Sequence, residues 1–291
     1  RVSRGLGDVY KRQSIISNDL EKYYKDDKGF CATFYNENGT PLTNKNITFS
    51  VNGVSYIKTT DNNGTTKLNI NLESGNYTII SYNPITNETI TNNITVLSSI
   101  NSSDLTKYFK NATQYSVTLY DKTGKALVNK TVRFNINGIF YERKTNEKGV
   151  AQLNINLDPG NYIVTVYNLI TGEEKSNNIN VVSRIQLLDL NNASNVILPE
   201  GYVIPVMFIG NGKAYAQCRA TTLDEKGNPL ANQLVTFNIN GIIYKGTTDK
   251  FGIIDAIIYV NADWGNTYHI CTATFGESFA SQTVIVKRFV M

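Results

Sequence analysis

The chain has few of the side chains that catalytic sites use most. Its 291 residues include one histidine, one tryptophan, two methionines and three cysteines. The single histidine, His269, lies in a predicted strand, and neither a Gly-rich nucleophile elbow nor a partnered serine is near it in sequence. A surface or strand-edge histidine is the better interpretation. We therefore predict no catalytic residue, no cofactor and no enzymatic activity.

Long apolar runs are also missing. No stretch approaches the ~18 apolar residues of a membrane-spanning helix. No apolar signal-peptide core with a small-residue cleavage site is found either. We predict no transmembrane segment within this fragment. The cysteines show no CxxC spacing, which argues against a metal site or a redox pair built on that motif.

The first thirteen residues look foreign to the rest of the chain. Residues 3–13 can be back-translated into a DNA string that resembles a transposase-type sequencing adapter read in frame. We interpret residues 1–13 as a library artefact, the alternative being a natural basic arm. Five charged side chains in this stretch sum to +3: Arg1, Arg4, Lys11, Arg12 and Asp8. Of the formal +4, this leaves +1 (4 − 3) for the remainder, which provides no electrostatic surface for nucleic acid.

What the sequence does contain is an internal repeat. The segment DLEKYYK at 19–25 recurs as DLTKYFK at 104–110, and downstream glycines and tyrosines keep this shift of 85 residues (104 − 19). A third copy opens at Asp189, after which an insertion of 18 residues (103 − 85) falls around 191–213. The repeat predicts three modules, at residues 14–99, 100–184 and 185–291.

Apolar and polar residues alternate inside each copy, as at 131–137 and 151–157. This pattern is typical of half-buried strands, and the Asn-Gly pairs between them suit tight turns because both residues tolerate positive φ. With no comparable amphipathic helix, seven or so short strands per copy predict an antiparallel β-sandwich. The segment DPGNY at 158–162, with a weaker copy at 73–77, predicts a tyrosine corner, whose phenol bonds back to the main chain.

These motifs together carry a family resemblance. The unit built from D-L-x-K-Y-Y/F-K, T-F-x-x-N-G, L-N-I-N-L and G-N-Y resembles the repeats of adhesin-like surface proteins of methanogenic archaea. The resemblance covers residues 14–182 closely and the third copy less closely. It implies an all-β chain of tandem immunoglobulin-like modules, similar to bacterial Ig-like domains, displayed outside the cell. No catalytic or binding residue transfers with it, because the motif positions are turns and core.

Asparagines in the N-x-S/T pattern are the strongest compositional feature with a chemical meaning. In a secreted chain they are N-glycosylation acceptors, but a β protein rich in Asn and Thr also generates them by chance. The candidate acceptors are Asn38, Asn46, Asn63, Asn87, Asn101, Asn111, Asn129 and Asn192. Asn76 and Asn93 also fit the pattern, but they lie beside predicted strand residues and are doubtful acceptors.

The resemblance to immunoglobulin-like modules bears on two of the cysteines. Cys218 and Cys271 lie in the second-strand and late-strand regions that an Ig disulfide joins. Cys31 aligns with Ser116, so the three thiols are not equivalent positions of the repeat. Tyr268 precedes Cys271 by three residues where the Ig pattern has two, and a bridge and a pair of free thiols therefore both stay open.

Two stabilising chemistries also stay open. The acidic loop at 26–27, and Asp121 with Glu147, hold oxygen ligands of the kind that calcium takes. No EF-hand spacing accompanies them, so solvated loops are the better interpretation. An intramolecular isopeptide bond would need a buried lysine beside a buried acid.

Two classes of function fit these observations: an adhesive module that binds a surface protein or glycan, and a structural stalk that presents a distal domain. The constant spacing of the first two copies suits a stalk. The insertion suits binding, because long loops on rigid scaffolds carry recognition, and its residues 197–208 are unusually apolar. An extra strand or a patch packed on the sandwich is the alternative for that stretch. A third possibility is a non-catalytic part of a surface enzyme.

Overall fold

The computed structural model describes residues 13–188, 214–261, 263 and 267–288. The predicted adapter residues 1–12, the insertion at 191–213 and Asn192 lie outside the described residues. Within the described part, the chain forms strands and contains no α-helix. The strands enclose three separate clusters of buried apolar side chains, one in each third of the chain. The fold is all-β, as predicted.

The N-terminal sandwich, residues 15–97, contains eight strands. They are β1 (Ile15–Ser17), β2 (Leu20–Tyr23), β3 (Gly29–Phe34), β4 (Asn46–Val51), β5 (Val54–Thr59), β6 (Thr65–Asn69), β7 (Gly75–Tyr82) and β8 (Thr89–Leu97). A three-stranded sheet of order β1-β3-β6 faces a five-stranded sheet of order β2-β8-β7-β4-β5. Phe30, Phe34 and Phe49 are fully buried between the sheets, where their rings meet edge to face. This pair of facing sheets is an immunoglobulin-like β-sandwich.

The middle sandwich, residues 100–182, repeats this arrangement. Its strands are β9 (Ile100–Asn101), β10 (Leu105–Tyr108), β11 (Gln114–Leu119), β12 (Thr131–Ile136), β13 (Ile139–Lys144), β14 (Val150–Asn154), β15 (Gly160–Asn168) and β16 (Glu173–Val182). The two sheets have the orders β14-β11-β9 and β10-β16-β15-β12-β13. In both sandwiches the first strand is split between the sheets, so β2 pairs with β8, and β10 with β16, in parallel. The predicted antiparallel pairing holds for the other strand pairs.

The C-terminal sandwich, residues 185–288, differs in how its described strands join. Its described strands are β17 (Ile185–Leu187), β18 (Ala214–Thr222), β19 (Leu234–Ile239), β20 (Ile242–Thr247), β21 (Ile253–Val260), β22 (Tyr268–Phe275) and β23 (Ser278–Arg288). They form one continuous sheet of order β17-β18-β23-β22-β19-β20, with β21 paired to β18. Because β18 has nine residues where β3 and β11 have six, its start reaches β23 and joins the two layers.

Local sequence explains the regular hairpins. β4 and β5 are joined by Asn52 and Gly53, whose φ angles are 50° and 78°. Two successive positive φ values match a turn whose twist fits the flanking strands, and only Asn, Asp and Gly adopt them at low cost. The Asn-Gly pairs at 137–138 and 240–241 have the same geometry. The predicted turns are confirmed at these three places.

The predicted tyrosine corners are confirmed as well. The Tyr77 hydroxyl donates to the main-chain oxygen of Glu73 at 2.9 Å, and the Tyr162 hydroxyl donates to that of Asp158 at 2.8 Å. At Gly160, an added Cβ would lie 3.3 Å from the Tyr162 hydroxyl, so the phenol lies directly over the glycine. These tyrosines fix the entry to β7 and β15 and have a structural role.

Candidate functional site

Each sandwich exposes the outer face of one sheet, which is the five-stranded sheet in the first two sandwiches and the corresponding strands β19, β20, β22 and β23 in the C-terminal one. Side chains alternate along a strand, so each residue that points away from the core reaches solvent. In the N-terminal sandwich this face carries the exposed apolar side chains Ile57 and Ile80 among short polar side chains: Asn46, Thr48, Ser50, Thr78, Thr91 and Asn93. Such a face is flat and offers rows of hydroxyl and amide groups.

The outer face of the middle sandwich carries a group that we call the aromatic–ionic patch: Arg133, Phe140, Glu142 and Tyr167. Phe140 is 57% exposed, and its ring centroid lies 6.2 Å from that of Tyr167. The Arg133 guanidinium lies 5.9 Å from the Phe140 centroid and donates from Nε and Nη2 to Glu142 Oε1, at 3.1 and 2.9 Å. An exposed ring beside an ordered ion pair can stack on an apolar ligand face and hydrogen-bond its polar groups.

The patch is confined to the middle sandwich among the described residues. Strand register places three residues of each neighbouring sandwich at the positions of Arg133, Phe140 and Glu142. They are Thr48, Ser55 and Ile57 in the N-terminal sandwich, and Thr236, Ile243 and Lys245 in the C-terminal sandwich. The same backbone therefore presents three different outer surfaces, and the two neighbours supply matched controls.

The outer face of the C-terminal sandwich is more apolar. Its large exposed residues are Leu234, Ile243, Tyr268, Ile270 and Phe279. His269 lies on the opposite side of β22, and its ring nitrogens bond the amide of Asn240 at 2.7 Å and the hydroxyl of Thr267 at 2.6 Å. Two neutral partners fix the imidazole ring in place. His269 is half-buried on β22, which lies between β19 and β23, so it is not on an edge strand.

The two buried cysteines face each other across the C-terminal sandwich. Cys218 on β18 and Cys271 on β22 are free thiols with their Sγ atoms 3.0 Å apart. The hydrogen bond to Cys271, together with burial, raises the pKa of the Cys218 thiol. Cys31, on β3, is exposed and remote from both. The geometry brings together the two residues of the predicted disulfide, and the bridge itself stays a prediction.

The candidate glycosylation sites fall mostly on exposed positions. Asn38, Asn46, Asn63, Asn87, Asn101 and Asn129 are exposed. Asn111 is half-buried, and its amide nitrogen donates to the main-chain oxygen of Glu225 at 2.6 Å. The two doubtful acceptors, Asn76 and Asn93, are exposed on the outer face, where the Asn93 amide donates to Asp19 at 3.1 Å. Glycosylation stays a prediction at all of these positions.

Two lysines of the repeated motif are buried at one pole of their sandwiches. Lys22 Nζ donates to the main-chain oxygens of Ile70 and Lys28, at 2.7 and 3.2 Å. Lys107 Nζ donates to those of Ile155 and Thr113, at 2.9 and 3.1 Å. Desolvation lowers the pKa of both lysines. The buried ammonium groups thus donate hydrogen bonds to main-chain oxygens. An isopeptide bond would instead need a buried lysine beside a buried acid.

Clefts open beside both buried lysines. The larger, of about 700 Å³, is lined by Lys22, Lys25, Lys28, Lys67, Asp26, Asp27 and Glu73 among others. The smaller, of about 200 Å³, lies at Lys107. Among the described residues, no group of three or more His, Cys, Asp or Glu side chains is placed to hold a metal ion. The described part of the chain also has no helix with the length and apolarity to cross a lipid bilayer.

The N-terminal and middle sandwiches meet in a contact that we call the first joint. The rings of Tyr23 and Tyr120 lie 5.9 Å apart, and Lys122 Nζ bonds Asp27 Oδ2 at 2.5 Å. The Tyr23 ring rests on Gly124, where an added Cβ would lie 2.7 Å from the tyrosine Cζ. This contact places an aromatic ring on bare backbone.

The middle and C-terminal sandwiches meet at a second joint, in which the ring-on-glycine contact recurs. The Tyr108 ring rests on Gly227, where an added Cβ would lie 2.5 Å from Cζ. Lys110 Nζ bonds Glu277 Oε2 at 2.6 Å, and the Asn111 amide provides a further bond to Glu225. Sequence reasoning did not find these contacts, although the tyrosines belong to the repeated motif.

Comparison with known proteins gives fold-level likeness only. No protein-family model matches the chain, and no curated protein matches it significantly. Among solved structures, an adhesin that helps an Antarctic bacterium bind ice is 13% identical, with 96% of this chain and 74% of that chain covered and a TM-score of 0.22. Invasin, a bacterial integrin-binding protein, is 13% identical over 95% of this chain and 59% of its own, with a TM-score of 0.25.

A third similar structure is the α2-macroglobulin of Escherichia coli. It is 12% identical, with 97% of this chain and 24% of that chain covered and a TM-score of 0.32. Scores and identities this low carry no argument about function. The immunoglobulin-like assignment therefore stands on the strand order and pairing described above.

Proposed function

We propose that this chain is a section of a non-enzymatic, adhesin-like protein displayed outside the cell, with modules at 14–99, 100–184 and 185–291. Its ligand is a surface glycan or protein, bound on the outer face of the middle sandwich. The aromatic–ionic patch is the observation that carries this proposal. The resemblance of the repeats to archaeal surface proteins supports the location, as do the exposed N-x-S/T asparagines.

Physical reasons favour the patch as the contact. A phenylalanine that is 57% exposed gives up part of the stabilisation of burial, which is about 1.5–3 kcal/mol for a fully buried large apolar side chain, and a bound partner restores that part. Aromatic and arginine side chains are enriched at the centres of binding surfaces. Strands β12, β13 and β15 hold the patch on rigid, paired backbone, so a ligand meets a preformed surface.

Loss of the patch ring is expected to weaken binding by at least about tenfold, or ~1.4 kcal/mol. The full chain and its Phe140→Ser variant would be titrated against a panel of host and microbial surface glycans and proteins. Ile57→Ser and Ile243→Ser, which remove exposed apolar side chains from the other two outer faces, are the matched controls. An equal loss of affinity in all three variants, or no loss in Phe140→Ser, would show that the patch is not the binding surface.

A stalk that carries a distal domain is the second candidate function, and the two joints favour it. Both repeat the same ring-on-glycine contact, which sets a fixed relation between consecutive sandwiches. A stalk needs length and stiffness and no special surface.

Removal of the Tyr23 ring from the first joint tests the stiffness that a stalk needs. The chain from residue 14 onward is expected to be elongated in small-angle scattering, with a maximum dimension well above that of one compact globule. Tyr23→Ala is expected to broaden the distribution of distances, because the ring no longer holds Gly124 and Tyr120. Tyr56→Ala, on β5 of the same sandwich and away from the joint, should leave the profile unchanged. A compact profile in the parent chain would contradict the stalk and the arrangement of the modules in a row.

A further inference from the structure

In both joints the tyrosine ring packs on the same kind of element, a short turn that follows β11 in the middle sandwich and its counterpart β18 in the C-terminal sandwich. In the middle sandwich, Asp121 Oδ1 accepts the main-chain N–H groups of Thr123 and Lys125, at 2.8 and 3.0 Å. This leaves Gly124 at a φ of 85° with its backbone outward. Glycine is required twice here, for the positive φ and for the room that the Tyr23 ring occupies.

The C-terminal sandwich has the same turn. Asp224 Oδ1 accepts the N–H groups of Lys226 and Asn228, both at 2.8 Å, and Gly227 has a φ of 87°. The Tyr108 ring occupies it as Tyr23 occupies the first. The tyrosine and the glycine that it covers recur together. Tyr108 follows Tyr23 by 85 residues and Gly227 follows Gly124 by 103, and these are the two shifts of the repeat.

The N-terminal sandwich carries a third copy of this turn. Asn36 Oδ1 accepts the N–H groups of Asn38 and Thr40, at 3.0 and 2.9 Å, and Gly39 has a φ of 78°. Tyr35 precedes it as Tyr120 precedes the turn of the first joint, and both form an isolated bridge to the far side of the turn. The tyrosines Tyr23 and Tyr108 are already engaged on the other two turns.

We infer that the turn at 36–39, with Tyr35, is a docking surface for the tyrosine-bearing strand end of another repeat unit of this kind. The occupant is a repeat linked directly ahead of residue 14, as the N-terminal sandwich is linked ahead of residue 99. The contact is head-to-tail, so one face of each unit gives the ring and another receives it, and such contacts propagate along a chain. This inference rests on the joints and is independent of the aromatic–ionic patch.

Covalent linkage matters for this contact. One ring on one turn, with an exposed ion pair at its side, buries too little surface to hold separate molecules together. A linker of one or two residues raises the effective concentration of the partner to the millimolar range or above, where such a contact forms. The existing joints meet this condition, because β8 ends at Leu97 and β9 begins at Ile100.

The test duplicates one repeat. A chain in which a copy of residues 14–98 replaces residues 1–13 creates a new junction with the spacing of the natural one. Limited proteolysis with a non-specific protease then reports how often each junction opens. We expect the new junction to be cleaved within about twofold of the rate at residues 98–99. Cleavage that is faster by about tenfold or more would overturn the inference.

Three variants of the duplicated chain locate the contact. Gly39→Val in the receiving unit should raise cleavage at the new junction by about tenfold and leave the natural junction unchanged, because the added side chain displaces the incoming ring. Gly124→Val should do the reverse. Gly138→Val, at a turn with a φ of 79° and open space around it, controls for backbone strain and should affect neither junction.

Two outcomes contradict the proposal. If Gly124→Val leaves the cleavage rate at the natural junction unchanged, the ring-on-glycine contact does not hold the joints together. The turn at 36–39 would then not be expected to bind a tyrosine ring. If the duplicated chain or its parent forms dimers in light scattering that Gly39→Val abolishes, the turn receives a second molecule and the assignment to a linked repeat is wrong.

Discussion

Replacement of Asp255 by alanine is expected to lower the free energy of unfolding of the C-terminal sandwich by about 3–5 kcal/mol. Arg219 Nε bonds Asp255 Oδ1 at 2.5 Å, and the two side chains are only 4% and 3% exposed. Removal of the carboxylate leaves the guanidinium charge buried without its closest counter-charge, which costs far more than the loss of a solvated ion pair. Hydrogen exchange of β18 and β21, read in denaturant, measures the change in that sandwich alone.

The middle sandwich supplies the control. Its residues at the same positions, Ser116 and Gln152, pair across β11 and β14 in the same way but are exposed. Gln152→Ala should therefore change stability by less than about 0.5 kcal/mol. Replacement of both Arg219 and Asp255 by apolar residues should recover most of the loss, because neither charge of the pair then remains buried. A loss below about 1 kcal/mol in Asp255→Ala would show that water reaches the pair.

Oxidation of Cys218 and Cys271 to a disulfide is expected to stabilise the C-terminal sandwich by about 4 kcal/mol. The bridge would close a loop of 53 residues, and the loss of chain entropy in the unfolded state sets this magnitude. The reaction removes one hydrogen from each thiol and passes two electrons to an added oxidant such as oxidised glutathione. The two Sγ atoms are 3.0 Å apart, so bond formation needs a shift of about 1 Å.

Mass spectrometry and thermal unfolding, before and after oxidation, check this expectation. A mass loss of two hydrogens should accompany a higher unfolding temperature of the C-terminal sandwich, and Cys218→Ala should abolish both changes. Cys31→Ser should alter neither, because Cys31 is exposed on another sandwich. Oxidation that forms no Cys218–Cys271 bridge, or a bridge that lowers stability, would contradict the prediction and favour structural free thiols.

Much of the fold follows from local sequence rules. Alternating apolar residues such as those of β12 set strand and face, and the Asn-Gly pairs set the hairpins, because φ preferences act within two residues. The tyrosine corners at Tyr77 and Tyr162 were predictable for the same reason, since donor and acceptor lie four residues apart. The repeat then transferred each conclusion from one copy to the next.

Features that depend on strand register or on contacts between sandwiches could not be predicted from the sequence. Phe140 joins Arg133 and Tyr167 only because three strands align, and the pattern of each strand alone shows no patch. Nothing in the local sequence distinguishes Gly124 from other turn glycines, yet a ring from another sandwich rests on it. The burial of Arg219 was equally hidden, because an alternating strand pattern places it on the outer side. One signal was available: the receiving glycine and the tyrosine recur at the repeat's own shifts.

The apolar insertion around 191–213 stays an untested candidate for recognition, because it lies outside the described residues. A deletion variant distinguishes the role of this insertion from that of the aromatic–ionic patch. Deletion of residues 195–210 is expected to leave binding unchanged if the middle sandwich alone holds the ligand.

A map of where a ligand binds would show whether the middle sandwich holds it. Hydrogen exchange of the full chain, with and without the tightest-binding glycan or protein of the panel, maps the contact strand by strand. Slower exchange is expected in β12, β13 and β15, and unchanged exchange in the corresponding strands β4, β5 and β7. Protection confined to another sandwich, or a panel in which nothing binds, would contradict the claim that this chain binds through the middle sandwich.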